Sequence, residues 1–219
     1  MITPTIQLYA DAVSPFAYLA FHVLRNDDVF RGVKIEYTPL YLPGLMHACG
    51  NTTPMAIKNK DRWVEQERLR WARAFNVPMK LSIPPNFPPN TLHTMRALCA
   101  ISLQPDGQEK LARALGALYA AMWAAHEQIG NPRVFKPILT QVLGKESTKE
   151  ALAYSGTVGK STLKANTDKA FEDGAFGLPW MVCTNRKGQI ESFWGVDRLG
   201  EVLRFLSLEK PAGDWKSRL

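Results

Sequence analysis

Apolar and polar positions change their period several times along the chain, and the changes mark out its elements. Residues 4 to 11 alternate as a strand, after which Ser14 stands as an N-cap with Pro15 at the first helical position, where the missing N–H costs nothing. Phe16, Leu19, Ala20, Val23 and Leu24 then recur at helical spacing to about Arg25, and Val33 to Leu40 alternates as a second strand. A crossover of this length implies parallel neighbours, so the chain opens β-α-β. From Leu45 to about Asp173 the texture becomes helical, with patterns over residues 59–75, 91–103, 107–127, 131–143 and 160–173. The chain returns to strand at Trp180 to Cys183, turns at Asn185 to Gly188, continues from Gln189 to Trp194, and closes with a helix over 197–207. The pattern predicts an α/β protein: a split domain of residues 1–44 and 174–219, interrupted by a large all-α insertion over 45–173. Between two of the inserted helices, Leu81 to Asn90 carries four prolines and is expected to be an ordered, polyproline-like loop, either a wall of a substrate site or a rigid connector.

Composition narrows this picture. The 219 residues are 46% apolar, ample for a packed core. No run approaches the roughly 18 apolar residues that would span a membrane, and no basic leader precedes an apolar stretch, so a soluble intracellular protein with no membrane partner is expected. The net charge of +7 comes from Lys and Arg scattered among Glu rather than gathered in a block, which argues against nucleic acid and for a small anionic ligand. Cys49, Cys99 and Cys183 form neither a C-x-x-C pair nor a metal-ligand spacing and read as free, buried or half-buried thiols. His126-Glu127 lacks the second histidine of a zinc helix, so no metal site is expected. The last three residues, Ser217-Arg218-Leu219, fit the small-basic-leucine pattern of a peroxisomal address; the other reading is a frayed tail.

Three short segments carry candidate chemistry. A helix N-terminus presents free N–H groups and a positive dipole end, so the hydroxyl of Ser14 could steady an anion placed there; taken alone, Ser14 reads first as an ordinary N-cap. Gly177 allows an unusual φ and Pro179 cannot donate to a ladder, which would leave the backbone of Leu178 open to a peptide-like ligand at the sheet edge; the other reading is a strand-entry turn. The sequence leaves the isomer of the Leu178-Pro179 bond open. Asp197-Arg198 falls where the hairpin meets the last helix and offers both charges an amino acid would need, although such a pair is also ordinary capping with a surface ion pair.

These motifs, with Asp11-Ala-Val-Ser-Pro-Phe16, Gly50-Asn51 followed by Lys60, Phe75-Asn-Val-Pro78, Gly174-Ala-Phe-Gly-Leu-Pro179 and Trp194-Gly-Val-Asp-Arg198, resemble the kappa-class glutathione transferases and the glutathione-dependent 2-hydroxychromene-2-carboxylate isomerases, both of DsbA type. The resemblance spans nearly the whole chain. It implies a thioredoxin-like domain with a helical insertion, in which Ser14 replaces a redox dithiol and glutathione brings the thiol. By the same resemblance Ser14 binds the sulfur, Leu178 beside Pro179 pairs with the cysteinyl backbone, and Asp197 and Arg198 hold the γ-glutamyl end. Asn51 and Lys60 complete the site near the sulfur and the glycyl carboxylate, and a homodimer is implied. The chain departs from the family at Trp180, where a smaller aliphatic residue is common, and at Thr52-Thr53, where the kappa enzymes tend to carry Lys-Pro.

The expected function is therefore conjugation of glutathione to a small electrophile. The alternative is glutathione-dependent isomerisation of an unsaturated substrate. A DsbA-like thiol-disulfide exchanger is disfavoured because Ser14 cannot form a mixed disulfide. A non-catalytic binding module is the remaining class. The terminal tripeptide would engage a peroxisomal import receptor, with the cytoplasm or mitochondrion as the alternative address.

Overall fold

The computed structural model describes residues 2–208. Its sheet has four strands in the order β2-β1-β3-β4, with β1 at Thr5–Ala10, β2 at Lys34–Pro39, β3 at Trp180–Thr184 and β4 at Ile190–Trp194. As the crossover requires, β1 and β2 are parallel, Thr5 facing Lys34 and Ala10 facing Pro39. Strand β3 lies antiparallel on the other side of β1, Tyr9 facing Trp180, and β4 returns as an antiparallel edge with Trp194 facing Trp180. Position in the sheet follows composition: the apolar Ile6, Leu8, Tyr9 and Ala10 of β1 are buried, whereas of β4 only Phe193 is. The result is a DsbA-like thioredoxin fold, a mixed sheet with helices inserted between β2 and β3.

Helix α1 (Pro15–Asn26) starts where the cap chemistry places it. Ser14 has extended backbone angles and its Oγ accepts the Ala17 N–H at 3.2 Å. The inserted helices are α2 (Leu42–Ala48), α3 (Lys60–Ala74), α4 (Leu92–Ser102), α5 (Gly107–Tyr119), α6 (Pro132–Leu143), α7 (Lys145–Tyr154) and α8 (Val158–Glu172); α9 (Leu199–Phe205) closes the fold. Helices α4, α5 and α8 pack against β2, and α1 packs against α3 and α5. One continuous apolar core runs from the strands through α1 into α4, α5 and α8.

Two of these helices escape the sequence pattern. Helix α2 is seven residues long and holds Pro43 and Gly44, too short for a period to show; α7 buries only Thr148 and Ala151, too few for a stripe. The helix expected over 107–127 changes character at Ala120, where a wide π turn runs to Ala125 and His126 adopts a positive φ of 66°.

The proline-rich segment has no helix or strand, as expected, and it is ordered by side chains from elsewhere. Arg68, almost fully buried, donates to the carbonyls of Lys80 and Leu81. Gln128 donates to the Pro85 carbonyl at 2.7 Å, and the His126 ring meets the Ser82 carbonyl at 3.0 Å. Phe87 packs edge-on against Trp123, 5.5 Å between ring centres. Both Phe87–Pro88 and Leu178–Pro179 are cis.

Candidate active site

Strand register brings the sequence motifs together. Because Tyr9 pairs with Trp180 and Trp180 with Trp194, three turns leave one end of the sheet side by side: Asp11 to Ser14 after β1, Phe176 to Pro179 before β3, and Gly195 to Arg198 after β4. The Gly195 N–H donates to the Pro179 carbonyl at 3.1 Å and locks the second turn to the third.

Ser14 is 5% exposed, with its hydroxyl oxygen accepting from Ala17 and its O–H without an acceptor among the described residues. A proton so placed can be donated to an anion at the mouth of α1, where the dipole also favours negative charge. Leu178 anchors its side chain in the core, and its backbone N–H and C=O have no hydrogen bond among the described residues. Buried main-chain groups are nearly always paired, so this is a place where an extended peptide can complete the pairing.

Asp197 and Arg198 lie at the start of the last helical segment, half exposed, with Nε and Oδ2 3.5 Å apart. Gly195 makes this geometry possible: its φ is 101°, and a Cβ there would stand 2.3 Å from Asp197 Oδ1. Asn51 follows α2 and donates its amide to the Phe176 carbonyl at 2.7 Å while accepting from the Thr52 N–H at 2.8 Å. It thus joins α2 to the turn carrying Leu178. Lys60 opens α3 and is exposed, with no side-chain hydrogen bond or ion pair to the other candidates among the described residues. Of the three thiols, Cys99 and Cys183 are buried and pushed by burial up to about 12, whereas Cys49 is half-buried beside Phe176, with its Sγ 3.9 Å from that carbonyl. None sits on α1.

Three features were not read from sequence. Phe176, Trp180 and Trp194 form an aromatic group beside Leu178, with Phe176 4.7 Å from Trp194 and 5.8 Å from Trp180, and the Trp180 indole N–H is buried without an acceptor among the described residues. The indole of Trp123 donates to the Ala12 carbonyl at 3.3 Å, which links the proline-rich loop to the turn before Ser14. Asp11 is wholly buried, and its carboxylate accepts from Val13 N, Leu42 N and Thr91 Oγ1. Burial holds the Asp11 carboxyl up, at about 6, against the opposing pull of these donors. The signal that could have exposed it was an acidic residue at the end of an otherwise apolar strand.

The fold and site define a thioredoxin-like protein whose first helix begins with serine where an exchanger would need a thiol. Residues 5–207 match the model of the DSBA-like thioredoxin domain, and the chain belongs to that family. Glutathione S-transferase kappa 1 of Rattus norvegicus is 30% identical over 216 residues, covering 95% of this chain and 92% of the relative. A 2-hydroxychromene-2-carboxylate isomerase of Sphingobium xenophagum is 28% identical over 210 residues, 94% of this chain and 99% of the relative. Among solved structures, a 2-hydroxychromene-2-carboxylate isomerase superposes with a TM-score of 0.76 at 22% identity, covering 93% of this chain and 94% of the other.

Proposed function

We propose that this protein is a glutathione-dependent enzyme, a transferase of kappa type that activates the thiol for attack on a small electrophile. The observation that carries the reading is the Ser14 hydroxyl, buried at the start of α1 with its proton uncommitted, in a fold with no protein thiol at that position. The residues fit the tripeptide. Leu178 offers the unpaired N–H and C=O for its backbone, and Asp197 and Arg198 offer opposite charges for its amino-acid end. Lys60, exposed at the head of α3, would serve the glycyl carboxylate, and Asn51 would steady the turn that presents Leu178.

Bound glutathione would supply the nucleophilic thiolate. Ser14 would donate its hydrogen bond to that sulfur and, with the N–H groups of α1, favour the ionised form. The proline-rich loop, tied to the Ser14 turn through Trp123, would wall the second substrate. Isomerisation of an unsaturated substrate is the second reading, supported by the isomerase relative that matches 94% of this chain. Both readings use the same ionised sulfur.

The family resemblance supports a homodimer, to be tested by sedimentation. Import into peroxisomes through Ser217-Arg218-Leu219, which lies outside the described residues, is tested by the punctate or diffuse staining of an N-terminal fluorescent fusion. For the activity itself, glutathione titrated into the protein by calorimetry should show saturable binding, and turnover of an activated aryl halide should require glutathione. A protein that binds no glutathione would overturn the reading.

A further inference from the structure

Asp11 makes more connections than the turn it belongs to needs. Its Oδ1 accepts from Val13 N at 3.1 Å and Thr91 Oγ1 at 2.9 Å, and its Oδ2 from Leu42 N at 3.0 Å. Its main-chain carbonyl accepts the Ser14 N–H at 3.0 Å and the Tyr119 hydroxyl at 3.3 Å. One buried residue therefore holds the turn that carries Ser14, the first residue of α2 and the cap of α4. The chain of contacts continues past the end of α2: Asn51 donates its main-chain N–H to the Met46 carbonyl of that helix at 2.8 Å and its side-chain amide to the Phe176 carbonyl. Through this strut Asp11 is connected to both halves of the site, the Ser14 cap and the turn of Leu178.

We propose that Asp11 is the positioning residue of this site, its ionised carboxylate setting the Ser14 cap and the Leu178 turn in mutual register through α2. The proposal rests on the glutathione reading for its catalytic consequence, but its structural content stands on the hydrogen bonds alone. Every group on the carboxylate is a donor, so the ionised form completes the set. Protonation, or replacement by an amide, removes acceptor capacity and turns a donor toward donors. The groups facing Asp11 agree with a switch in the weakly acid range. No cation pairs with it among the described residues; the phenols of Tyr41 and Tyr119 lie close enough to feel its charge, and the Arg96 charge acts on Tyr41. Thr91 supplies the hydroxyl that favours ionisation. A residue needed merely to fill the space would be served equally well by asparagine.

The test is a pH titration of backbone amide resonances in the free protein, followed by thiolate absorbance in its complex with glutathione. In the wild type the Ser14 and Asn51 amides should shift together with a midpoint near pH 6. Asp11→Asn should abolish that transition, and Thr91→Val, which keeps the volume and removes the donor, should raise its midpoint by about half a unit. In complex with glutathione, Asp11→Asn should lower the thiolate fraction at neutral pH about threefold or more with affinity changed less than about twofold, a split that general loosening would not give. If Asp11→Asn fails to fold, Thr91→Val decides. Flat Ser14 and Asn51 amides in the wild type, or a transition surviving in Asp11→Asn or unmoved in Thr91→Val, would overturn the proposal. A wild type that titrates as described but binds no glutathione would leave the positioning role supported and overturn the functional reading instead.

Discussion

Two acidic turns stand at the same end of the sheet and differ in almost every physical respect. Asp11 is fully buried, meets three donors from three parts of the chain and carries a raised carboxyl at about 6. Asp197, two strands away, is half exposed and shares one ion pair of 3.5 Å with its neighbour Arg198. A pair that open to solvent contributes on the order of 0.2 to 1 kcal/mol, whereas each buried donor left without its acceptor costs about 1 to 3 kcal/mol. The two turns thus divide the labour. On the proposed reading, the buried one fixes geometry at a cost in stability, and the exposed one would gain strength once a ligand displaced water from it.

The largest test of this contrast is the pH dependence of stability. The folded carboxyl of Asp11 lies above its unfolded value of 3.8, at about 6, so the folded state binds the proton more tightly and its relative stability falls as pH rises between those values. The full difference is about 3 kcal/mol. Denaturant melts should therefore show the stability of wild type falling relative to Asp11→Asn by about 3 kcal/mol as pH rises from 4 to 6, and parallel curves would contradict the assigned cost.

Arg198→Ala probes the exposed turn and should leave stability nearly unchanged while weakening glutathione binding by about 1.5 to 3 kcal/mol, as expected where a ligand carboxylate is desolvated against a guanidinium. Unchanged affinity by calorimetry would remove Arg198 from the site. Gly195→Ala is subtler. Its Cβ would collide with Asp197 Oδ1 at a backbone φ of 101°, so the carboxylate must move, and binding should weaken by about 1 kcal/mol, with Arg198 left in place.

Much of this could be read from the chain itself. Ser14-Pro15 announced a helix start because a cap is local chemistry, and the hairpin at Asn185 to Gly188 follows from turn residues. What the pattern could not show is long in sequence and short in space. Helix α2 has no period to detect, yet it carries the strut from Asp11 to Asn51. Asp11 meets Thr91 across 80 residues, and Trp123 reaches Ala12 across 111, contacts that no window along the chain contains. Ser14 was legible as a cap; its uncommitted proton was not, since that depends on which acceptors the fold brings near.

The central claim is that Ser14 acts on the charge of the sulfur more than on the binding of the tripeptide. Ultraviolet titration of the glutathione complex, following thiolate absorbance against pH in wild type and Ser14→Ala, tests it most directly. The account predicts that Ser14→Ala raises the pKa of the bound thiol by about one unit, about 1.4 kcal/mol, with affinity for glutathione at low pH unchanged. Superimposable titrations would assign the activation to the N–H groups of α1 alone and contradict the role given to the Ser14 hydroxyl.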